Sequence, residues 1–517
     1  MKKQIELVLQ PDKIQDRDYI IQVASRQLKL NREEVKAVIE LRRSIDARGS
    51  KPHFKLLVEV YLNEMPLEIH PVIHYRPVKS SRKVLIIGCG PAGMYAALKL
   101  IENGIKPVII ERGKDVQQRR RDLKLIQQFH QVNPDSNYCF GEGGAGAYSD
   151  GKLYTRSTKR GDIKRILSIF VQHGAVSDIL VDAHPHIGSN KLPRIIQSMR
   201  ETIISNGGEI HFNSRLTDFI ITDKVIRGVI VNDQTEFSGD AVILATGHSA
   251  RDIYQLCLRK GVLTEAKPYA MGVRIEHPQA IIDEIQYHGP RGKFLPAASY
   301  NLVCQIRDRG VFSFCMCPGG IIIPASTAQG ELVLNGMSVS GRDSKFANSG
   351  FVVSIGESDW KKYSGLGSLA GLELQKEVEK TAFEAGGKTQ RAPAQRVTDF
   401  VNGITSSTLP ESSYIPGIIS SPLHSILPKN IVQGLIAALI VFGKKMKGYY
   451  TEEAQLLAAE TRTSSPVRIP RDKESLMHLE IKGLFPAGEG AGYAGGIVSA
   501  AIDGENCADA VMKYFVQ

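Results

Sequence analysis

The chain has 517 residues, of which 42% are hydrophobic and 23% charged, and these ordinary values exclude a mostly disordered or fibrous protein. At about 150 residues per domain, the length predicts about three domains. Lys and Arg (65) exceed Asp and Glu (54), giving a net charge of +11 that favours anionic partners such as phosphates, nucleotides or acidic metabolites. Spread over the whole chain, this charge is weaker than the concentrated basic face of a dedicated nucleic-acid binder.

The sequence favours a reducing, cytoplasmic location. Its seven cysteines have no regular spacing and do not form a disulfide framework. Polar residues interrupt the apolar stretch that follows Met1, so no signal peptide is expected. The longest apolar run, residues 435–442, is far shorter than the roughly 20 residues of a membrane span.

Residues 1–78 are predicted to form a small α/β module. Hydrophobic periodicity predicts a helix over 16–30 and strands over 5–9, 35–42 and 54–61. A β-α-β-β run of this length is typical of a ferredoxin-like or related split-βαβ module. The Pro- and Ser-containing stretch 68–81 is predicted to be a linker to the next domain.

A glycine-rich turn follows a buried strand at the start of the second domain. Lys83–Ile87 is continuously apolar apart from its first residue, as a parallel sheet requires, and residues 88–93 lead from it into a helix. Gly88 permits the tight turn, Gly90 lets the backbone approach a pyrophosphate, and Gly93 allows the helix to pack closely on the strand. The first amides of the helix would then face the diphosphate.

The second strand of this unit ends in a carboxylate. Residues 107–110 form the predicted strand, and Glu111 follows it, 23 residues after Gly88, where an acid accepts hydrogen bonds from ribose hydroxyls. Strand, glycines, helix, strand and acid occur in register and predict a dinucleotide site. Glu111 disfavours a 2′-phosphate and therefore NADP at this site, but it suits the adenosine of either NAD or FAD.

The middle of the chain is predicted to be a mixed-β domain. Short strands separated by Gly and Pro are predicted at 273–276, 311–315, 320–323 and 331–339, and helical patterns return at 431–447 and 451–460. We therefore expect an α/β protein in which a Rossmann-type domain is discontinuous. Its two parts are residues 79–265 and 425–517, and a substrate or cap domain, residues 266–424, is inserted between them.

Two further segments resemble a known superfamily. Residues 241–247 are an apolar strand ending in Ala-Thr-Gly, and residues 483–490 read Gly-Leu-Phe-Pro-Ala-Gly-Glu-Gly. With the glycine-rich turn, they resemble the two-dinucleotide-binding-domain flavoproteins, the glutathione-reductase-like superfamily. The resemblance implies FAD, with the late motif on the ribityl chain and pyrophosphate. Glu489 stands where that superfamily usually has Asp.

The resemblance also implies that the helix from about Ile497 points its N-terminus at the flavin pyrimidine edge. Its amides and partial positive charge would stabilise the anionic reduced flavin near N1 and C2=O. In the third glycine-rich segment, residues 140–154, small residues would let the backbone pack against the cofactor, and Lys152 would offset charge.

Residues 140–154 closely resemble a run in uncharacterised bacterial FAD-dependent dehydrogenases that carry an N-terminal ferredoxin-like domain. The similarity extends to residues 44–48, 186–188, 314–320 and 461–468 and spans nearly the whole chain. It implies the fold and FAD but no particular reaction. The residues expected to bind FAD are Gly88, Gly90, Pro91, Ala92, Gly93, Glu111, Arg112, Gly143, Gly144, Ala145, Gly146, Lys152, Leu216, Ala245, Thr246, Gly247, Gly488, Glu489, Gly495, Gly496, Ile497 and Val498.

Sulfur and imidazole groups have two readings each. Cys315 and Cys317 could be a redox pair, but their spacing is not that of C-x-x-C dithiol enzymes, and a packing role is equally consistent. His184 and His186 resemble a metal-ligand pair, but they have no acidic or cysteine partner nearby in the sequence, which favours a role in loop structure or a contact near the flavin. No metal site is therefore expected.

Five charged residues are candidates for substrate binding or catalysis: Arg274, Glu276, His277, Arg462 and Arg468. On a strand, Arg274 and Glu276 share a face, so they either form a salt bridge or bind substrate. Arg462 and Arg468 either clamp a carboxylate or phosphate or pair at a domain interface.

The sequence thus predicts an FAD-dependent oxidoreductase that moves a hydride or electrons between flavin and a small, anionic organic substrate. A single complete nucleotide fingerprint is present, so NAD(P)H is expected only as a transient donor, and a redox partner is an alternative. The charge and the N-terminal module also allow a flavoprotein acting on RNA. However, the module lacks the aromatic-rich strands of an RRM, which disfavours nucleic acid. A non-catalytic protein with structural FAD is the other alternative.

Overall fold

The computed structural model describes residues 2–66, 72–155 and 160–516, so residues 68–71 of the predicted linker lie outside it. The helices are α1 (Arg17–Leu28), α2 (Pro91–Glu102), α3 (Val116–Phe129), α4 (Ile163–Gln172), α5 (Leu192–Ser205), α6 (Arg251–Arg259), α7 (Gln279–Tyr287), α8 (Ala370–Ala385), α9 (Val397–Asn402), α10 (Lys429–Lys445) and α11 (Ile497–Val516).

The strands are β1 (Lys2–Leu9), β2 (Val35–Asp46), β3 (His53–Leu62), β4 (Lys83–Ile87), β5 (Lys106–Ile110), β6 (Glu209–His211), β7 (Leu216–Thr222), β8 (Val225–Val231), β9 (Thr235–Ser238), β10 (Ala241–Leu244), β11 (Glu265–Ala266), β12 (Tyr269–Pro278), β13 (Val303–Ile306), β14 (Arg309–Cys317), β15 (Ile321–Pro324), β16 (Leu334–Met337), β17 (Phe346–Ile355), β18 (Ala392–Arg396), β19 (Ile418–Ser420), β20 (Gln455–Glu460), β21 (Val467–Arg468) and β22 (Leu484–Pro486).

The N-terminal module is an antiparallel sheet of order β1-β3-β2 with α1 packed on it. Alternate residues Leu56, Val58 and Val60 of β3 are fully buried, as expected for a strand with one face on a core. The observed order is the predicted β-α-β-β. The described residues provide one helix and three strands, fewer than the two helices and four strands of a complete ferredoxin-like unit.

A parallel five-stranded sheet of order β22-β10-β4-β5-β6 forms the Rossmann-type domain. Strands β22, β10, β4 and β5 are almost entirely buried, because α2 and α11 cover one face and α6 with the β7-β8-β9 meander covers the other, whereas the edge strand β6 is half-buried. β22 comes from the C-terminal part of the chain and pairs directly with β10. The predicted discontinuous Rossmann-type fold is therefore confirmed.

A seven-stranded mixed sheet, order β13-β14-β17-β12-β20-β18-β19, forms the cap. The prediction of a helix over 451–460 is wrong, because Gln455–Glu460 is strand β20. Its residues have good helix propensity, but all six are buried, and β20 pairs with β12 on one side and β18 on the other. Tertiary pairing here outweighs local propensity.

The cap extends beyond residue 424, where the sequence pattern predicted its end. Apolar residues of α10 and β20 belong to the same core as β12 and β17. The predicted boundary at residue 425 therefore falls between elements that share one core. Along the chain, β20 is the last strand that joins this sheet.

The N-terminal module contacts both larger parts of the molecule. Arg43 on β2 donates to Asp182 at 2.7 Å and to Asp178 at 2.7 Å, next to α4 of the Rossmann-type domain. Ile45 and Ala47 pack against the core of the cap. Across the described ranges, no helix has the length and apolar character needed to cross a membrane.

Candidate functional site

A cleft runs along the carboxyl ends of β4, β5, β10 and β22 and reaches β14 and β16 of the cap. Open α/β sheets bind ligands at this edge. The predicted cofactor residues that line it are Gly88, Gly90, Pro91, Ala92, Glu111, Arg112, Gly144, Ala145, Gly146, Lys152, Leu216, Ala245, Thr246, Gly247, Gly488, Glu489, Gly495, Gly496 and Ile497.

Three of the predicted residues lie behind the cleft wall. A Cβ atom on Gly93 would lie 2.0 Å from the carbonyl oxygen of Gly88, so Gly93 allows α2 to approach β4 closely. Gly143 packs in the same way against Ile196, and Val498 is buried within α11. Gly93, Gly143 and Val498 are therefore packed closely behind the residues that line the cleft.

The cradle, formed by Gly88, Gly90, Pro91 and Ala92, leaves its backbone open to the cleft. Gly88 has a φ of +105°, and a Cβ there would lie 2.5 Å from the carbonyl oxygen of Ala245, so only glycine fits. At Gly90 the nearest atom to a Cβ would be 3.9 Å away. Since α2 begins at Pro91, its first amides are available to a diphosphate.

The N-terminus of α11 is equally open at the other end of the cleft. A Cβ on Gly495 or Gly496 would have no atom within 4 Å, and both residues line the cleft next to Ile497. Two helix N-termini, from α2 and α11, therefore face one space. This arrangement fits a ligand with a diphosphate and a second electron-rich group, as FAD has.

Glu111 organises the end of the cleft next to β5, and Leu216 lines the same cleft. Its Oε2 accepts a hydrogen bond from the amide of Cys89 at 2.8 Å. Its Oε1 accepts from the amides of Gly113 at 2.8 Å and Gly141 at 3.0 Å. A carboxylate has about four lone-pair sites, so Glu111 retains capacity to accept from a ribose hydroxyl.

Arg112 is fixed at the same end by acidic neighbours. It donates to Asp135 at 2.7 Å and to Asp252 at 3.0 Å, and its guanidinium lies 4.3 Å from the ring centroid of Phe140. With its charge compensated, Arg112 forms a rigid part of the wall.

The cap end of the cleft is lined by Lys152, Phe314, Cys315, Asn335 and Thr463. The ammonium group of Lys152 donates a hydrogen bond to the carbonyl oxygen of Met316, which leaves two of its three donors for other partners. This end therefore combines apolar wall with a few polar groups, a pattern typical of small-molecule sites.

Sequence reasoning missed His248, which directly follows the Ala-Thr-Gly segment and lines the cleft. Burial and the nearby charges of Arg462, Arg251 and Lys267 lower the pKa of His248 to about 4. Its imidazole is therefore neutral at neutral pH. Its position next to Gly247 was the signal that could have identified it.

Glu489 also lines the cleft, and burial raises the pKa of its carboxyl to about 7, although Lys267 acts in the opposite direction. At neutral pH the protonated and the ionised forms of the group are therefore both populated. Such a carboxyl can either donate or accept a hydrogen bond in the cleft.

Arg462 reaches the cleft, but acidic residues surround its guanidinium. It donates to Glu379 at 2.8 Å, to Glu331 at 2.9 Å and to Thr327 at 2.7 Å. Arg468 is exposed and lies over the ring of Tyr493. The structure therefore does not bring Arg462 and Arg468 together to clamp an anion. Arg462 instead forms ion pairs at a domain interface, which was the alternative predicted from the sequence.

The three candidates on β12 lie inside the cap core and outside the residues that line the described cleft. Arg274 pairs with Glu460 at 3.2 Å rather than with Glu276.

The other two candidates on β12 are also bonded within the core. Glu276 accepts from Ser413 and Gln455, and His277 bonds the carbonyl oxygen of Tyr449 at 2.8 Å. Because their partners come from distant segments, the sequence pattern did not reveal them.

The cysteines and histidines separate into two groups. Cys315 and Cys317 line the cleft, whereas His186 bonds the carbonyl oxygen of Ser340 at 3.1 Å and His184 packs against the ring of Tyr154. Within the described residues, no group of three or more His, Cys, Asp or Glu side chains is arranged to hold a metal ion.

Comparison with known proteins gives the family. A protein of Clostridium beijerinckii described as uncharacterized is 38% identical over 511 residues, covering 95% of each chain. The chain belongs to the family of this Clostridium protein. Family models described as "FAD-dependent protein, C-terminal domain-like" and "FAD binding domain" match residues 268–463 and 81–128, and a domain of unknown function matches 1–61.

These matches support FAD as the cofactor, and the segment 268–463 agrees with the observed extent of the cap. Among solved structures, a geranylgeranyl bacteriochlorophyll reductase-like protein from Thermoplasma acidophilum is 12% identical with a TM-score of 0.35, over 84% of this chain and 79% of that one. The flavin-dependent brominase Bmp2 is 13% identical with a TM-score of 0.35, over 84% and 79%. Similarity at this level carries no statement about the reaction.

Proposed function

We propose that this protein is an FAD-dependent oxidoreductase that transfers a hydride or electrons between FAD and a small organic substrate. One observation carries the proposal: the open cradle at α2 and the open N-terminus of α11 face the same cleft, which continues to the cap. When bound, FAD supplies the hydride- and electron-transfer chemistry that amino-acid side chains lack.

The geometry of the cleft wall supports a role in FAD binding for the following groups. The amides around the cradle would bind the diphosphate, and Glu111 would accept a hydrogen bond from the ribose of the adenosine. Glu489 lines the cleft and would hydrogen-bond the ribityl chain, and the amides at Ile497 would bind the flavin at its pyrimidine edge. The partial positive charge of this helix end stabilises negative charge at that position.

The substrate would bind at the cap end, between the loop at Gly144 and Gly146 and the end of β14. Lys152 is held by the carbonyl oxygen of Met316 and presents a positive charge to this space, which favours an anionic substrate. Asn335 and Thr463 add neutral hydrogen-bonding groups, and Phe314 contributes apolar wall that excludes water.

The sequence has one complete dinucleotide fingerprint, so a reduced nicotinamide would act as a transient donor at this same end rather than from a second cradle. His248 is neutral and can accept or donate a hydrogen bond without adding charge to the cleft.

The test is an anaerobic stopped-flow screen of the FAD-loaded protein. Candidate donors, including NADH and NADPH, are expected to bleach the flavin, and suitable acceptors are expected to restore its colour over repeated turnovers. A flavin that no donor reduces would favour a structural role for FAD instead.

Replacing Lys152 with Met is expected to raise KM for an anionic substrate, whereas the exposed Lys361→Met control leaves it unchanged.

A further inference from the structure

Two cysteines stand at the cap end of the cleft. Cys315 and Cys317 lie at the end of β14, where pairing with β17 shifts register between Phe314 and Cys317. Cys315 adopts a φ of +44°, in the left-handed region, so the strand bulges there and departs from regular alternation. Cys315 is exposed and Cys317 is buried, and both line the cleft.

The surroundings of this pair are positively charged. Arg274 Nη2 donates to the carbonyl oxygen of Cys315 at 2.9 Å and lies 3.6 Å from the Sγ of Cys317. The Sγ of Cys317 is 3.3 Å from the carbonyl oxygen of Cys315, and Lys152 bonds the intervening Met316. Positive groups next to a sulfur favour its thiolate, which is the form that reacts in thiol–disulfide exchange.

The reduced pair carries its protons at neutral pH. Loss of solvation raises the pKa of Cys315 to about 11 and raises that of Cys317, while Lys152 and Arg274 act in the opposite direction. Reduction of a disulfide between them would therefore take up protons together with electrons.

We propose that Cys315 and Cys317 form a dithiol–disulfide pair that exchanges two electrons with FAD bound in the cleft. This inference rests on the proposed function, because it requires FAD at the cap end. FADH⁻, one proton and the disulfide give oxidised FAD and two thiols. The N5–H and S–S bonds break and two S–H bonds form. The electrons enter through the hydride donor of the proposed reaction, a reduced nicotinamide or an organic substrate.

The pair would double the electron capacity of the protein, and an anaerobic titration measures this directly. The fully oxidised, FAD-loaded protein is titrated with dithionite, and four electrons per FAD are expected. Cys315→Ser and Cys317→Ser are each expected to take two electrons at unchanged FAD content. The control Cys304→Ser, on the neighbouring strand β13 and outside the cleft lining, keeps four. A wild-type uptake of two electrons overturns the inference.

A second measurement needs no variant. The oxidised protein is denatured, alkylated and digested, and mass spectrometry is expected to find residues 315 and 317 linked and unmodified. After dithionite reduction, both should be alkylated. Alkylation of both in the oxidised protein contradicts the pair. Protein that retains FAD but takes only two electrons refutes this inference alone, whereas protein that cannot bind FAD refutes the proposed function as well.

Discussion

At the scale of single residues, the shape of the cleft depends on side chains that hold several backbone segments together. Glu111 accepts hydrogen bonds from three amides, so it fixes the cradle, the segment at Gly113 and the segment at Gly141 relative to one another. A carboxylate in this position orders these three backbone segments in the absence of any ligand. Preorganisation of this kind lowers the entropic cost of binding.

Gly90 is the residue at which a side chain would block the cofactor most directly. We expect Gly90→Val to abolish FAD binding, because its methyl groups would occupy the approach of the diphosphate, while the protein remains folded since a Cβ meets no atom closer than 3.9 Å. Flavin content of the purified protein and its circular dichroism measure the two effects. Gly292→Val, at an exposed position with no atom within 4 Å, is the control. Retention of a full complement of flavin by Gly90→Val would contradict the assigned cradle.

Glu489 predicts a specific pH dependence. Burial raises its pKa from 4.5 to about 7, so in this range the native state binds more protons than the unfolded chain and loses stability as pH rises. In FAD-free protein, Glu489→Gln is therefore expected to gain stability relative to wild type between these pH values and to hold a constant advantage above them. Thermal unfolding across the pH range measures this. The exposed Glu33→Gln should follow the wild type, and a parallel profile for Glu489→Gln would refute the assignment.

At the scale of elements, a buried ionic network ties the cap to the Rossmann-type domain. Glu379 on α8 accepts from Arg251 of α6 at 2.7 Å and from Arg462, which follows β20. Burial alone would raise the pKa of Glu379, but the two guanidinium groups lower it to about 2. The network therefore fixes the cap wall against the wall formed by the Ala-Thr-Gly segment.

Removing the charge of Glu379 should destabilise the protein strongly. Glu379→Gln leaves two buried guanidinium groups with Glu331 as their remaining acid, and we expect a loss of about 3–5 kcal/mol in the free energy of unfolding. Glu377→Gln on the same helix is the matched control. Glu377 pairs with Lys362 at the surface with 42% of its side chain exposed, and its loss should cost less than about 1 kcal/mol. Equal losses in equilibrium urea unfolding would show that the network contributes no special stability.

At the scale of the whole molecule, the features that could be predicted from the sequence are those whose signals lie within one short segment. The turn between β4 and α2 contains its own glycines, and Glu111 follows β5 directly. The cradle could therefore be predicted from one short segment of sequence. The order of N-terminal module, Rossmann-type domain and cap could likewise be predicted from changes in hydrophobic periodicity along the chain. The assembly of segments from both ends of the chain at one cleft followed from their resemblance to known flavoproteins.

The remaining features depend on partners far apart in the sequence. Arg274 is bonded to Glu460, and Arg462 to Glu379 and Glu331, so neither arginine is free for substrate as the sequence allowed. Strand β20 has residues that favour a helix, and only its pairing with β12 and β18 makes it a strand. Such pairings are fixed by the folded cap and have no signature within the segment itself.

The most direct test of the account is the flavin content of the purified protein. The chain is expected to carry FAD, released on denaturation and identified by mass spectrometry, at one molecule per chain, and to regain it when stripped protein is mixed with FAD. A correctly folded protein that is colourless and takes up no added FAD would contradict the account.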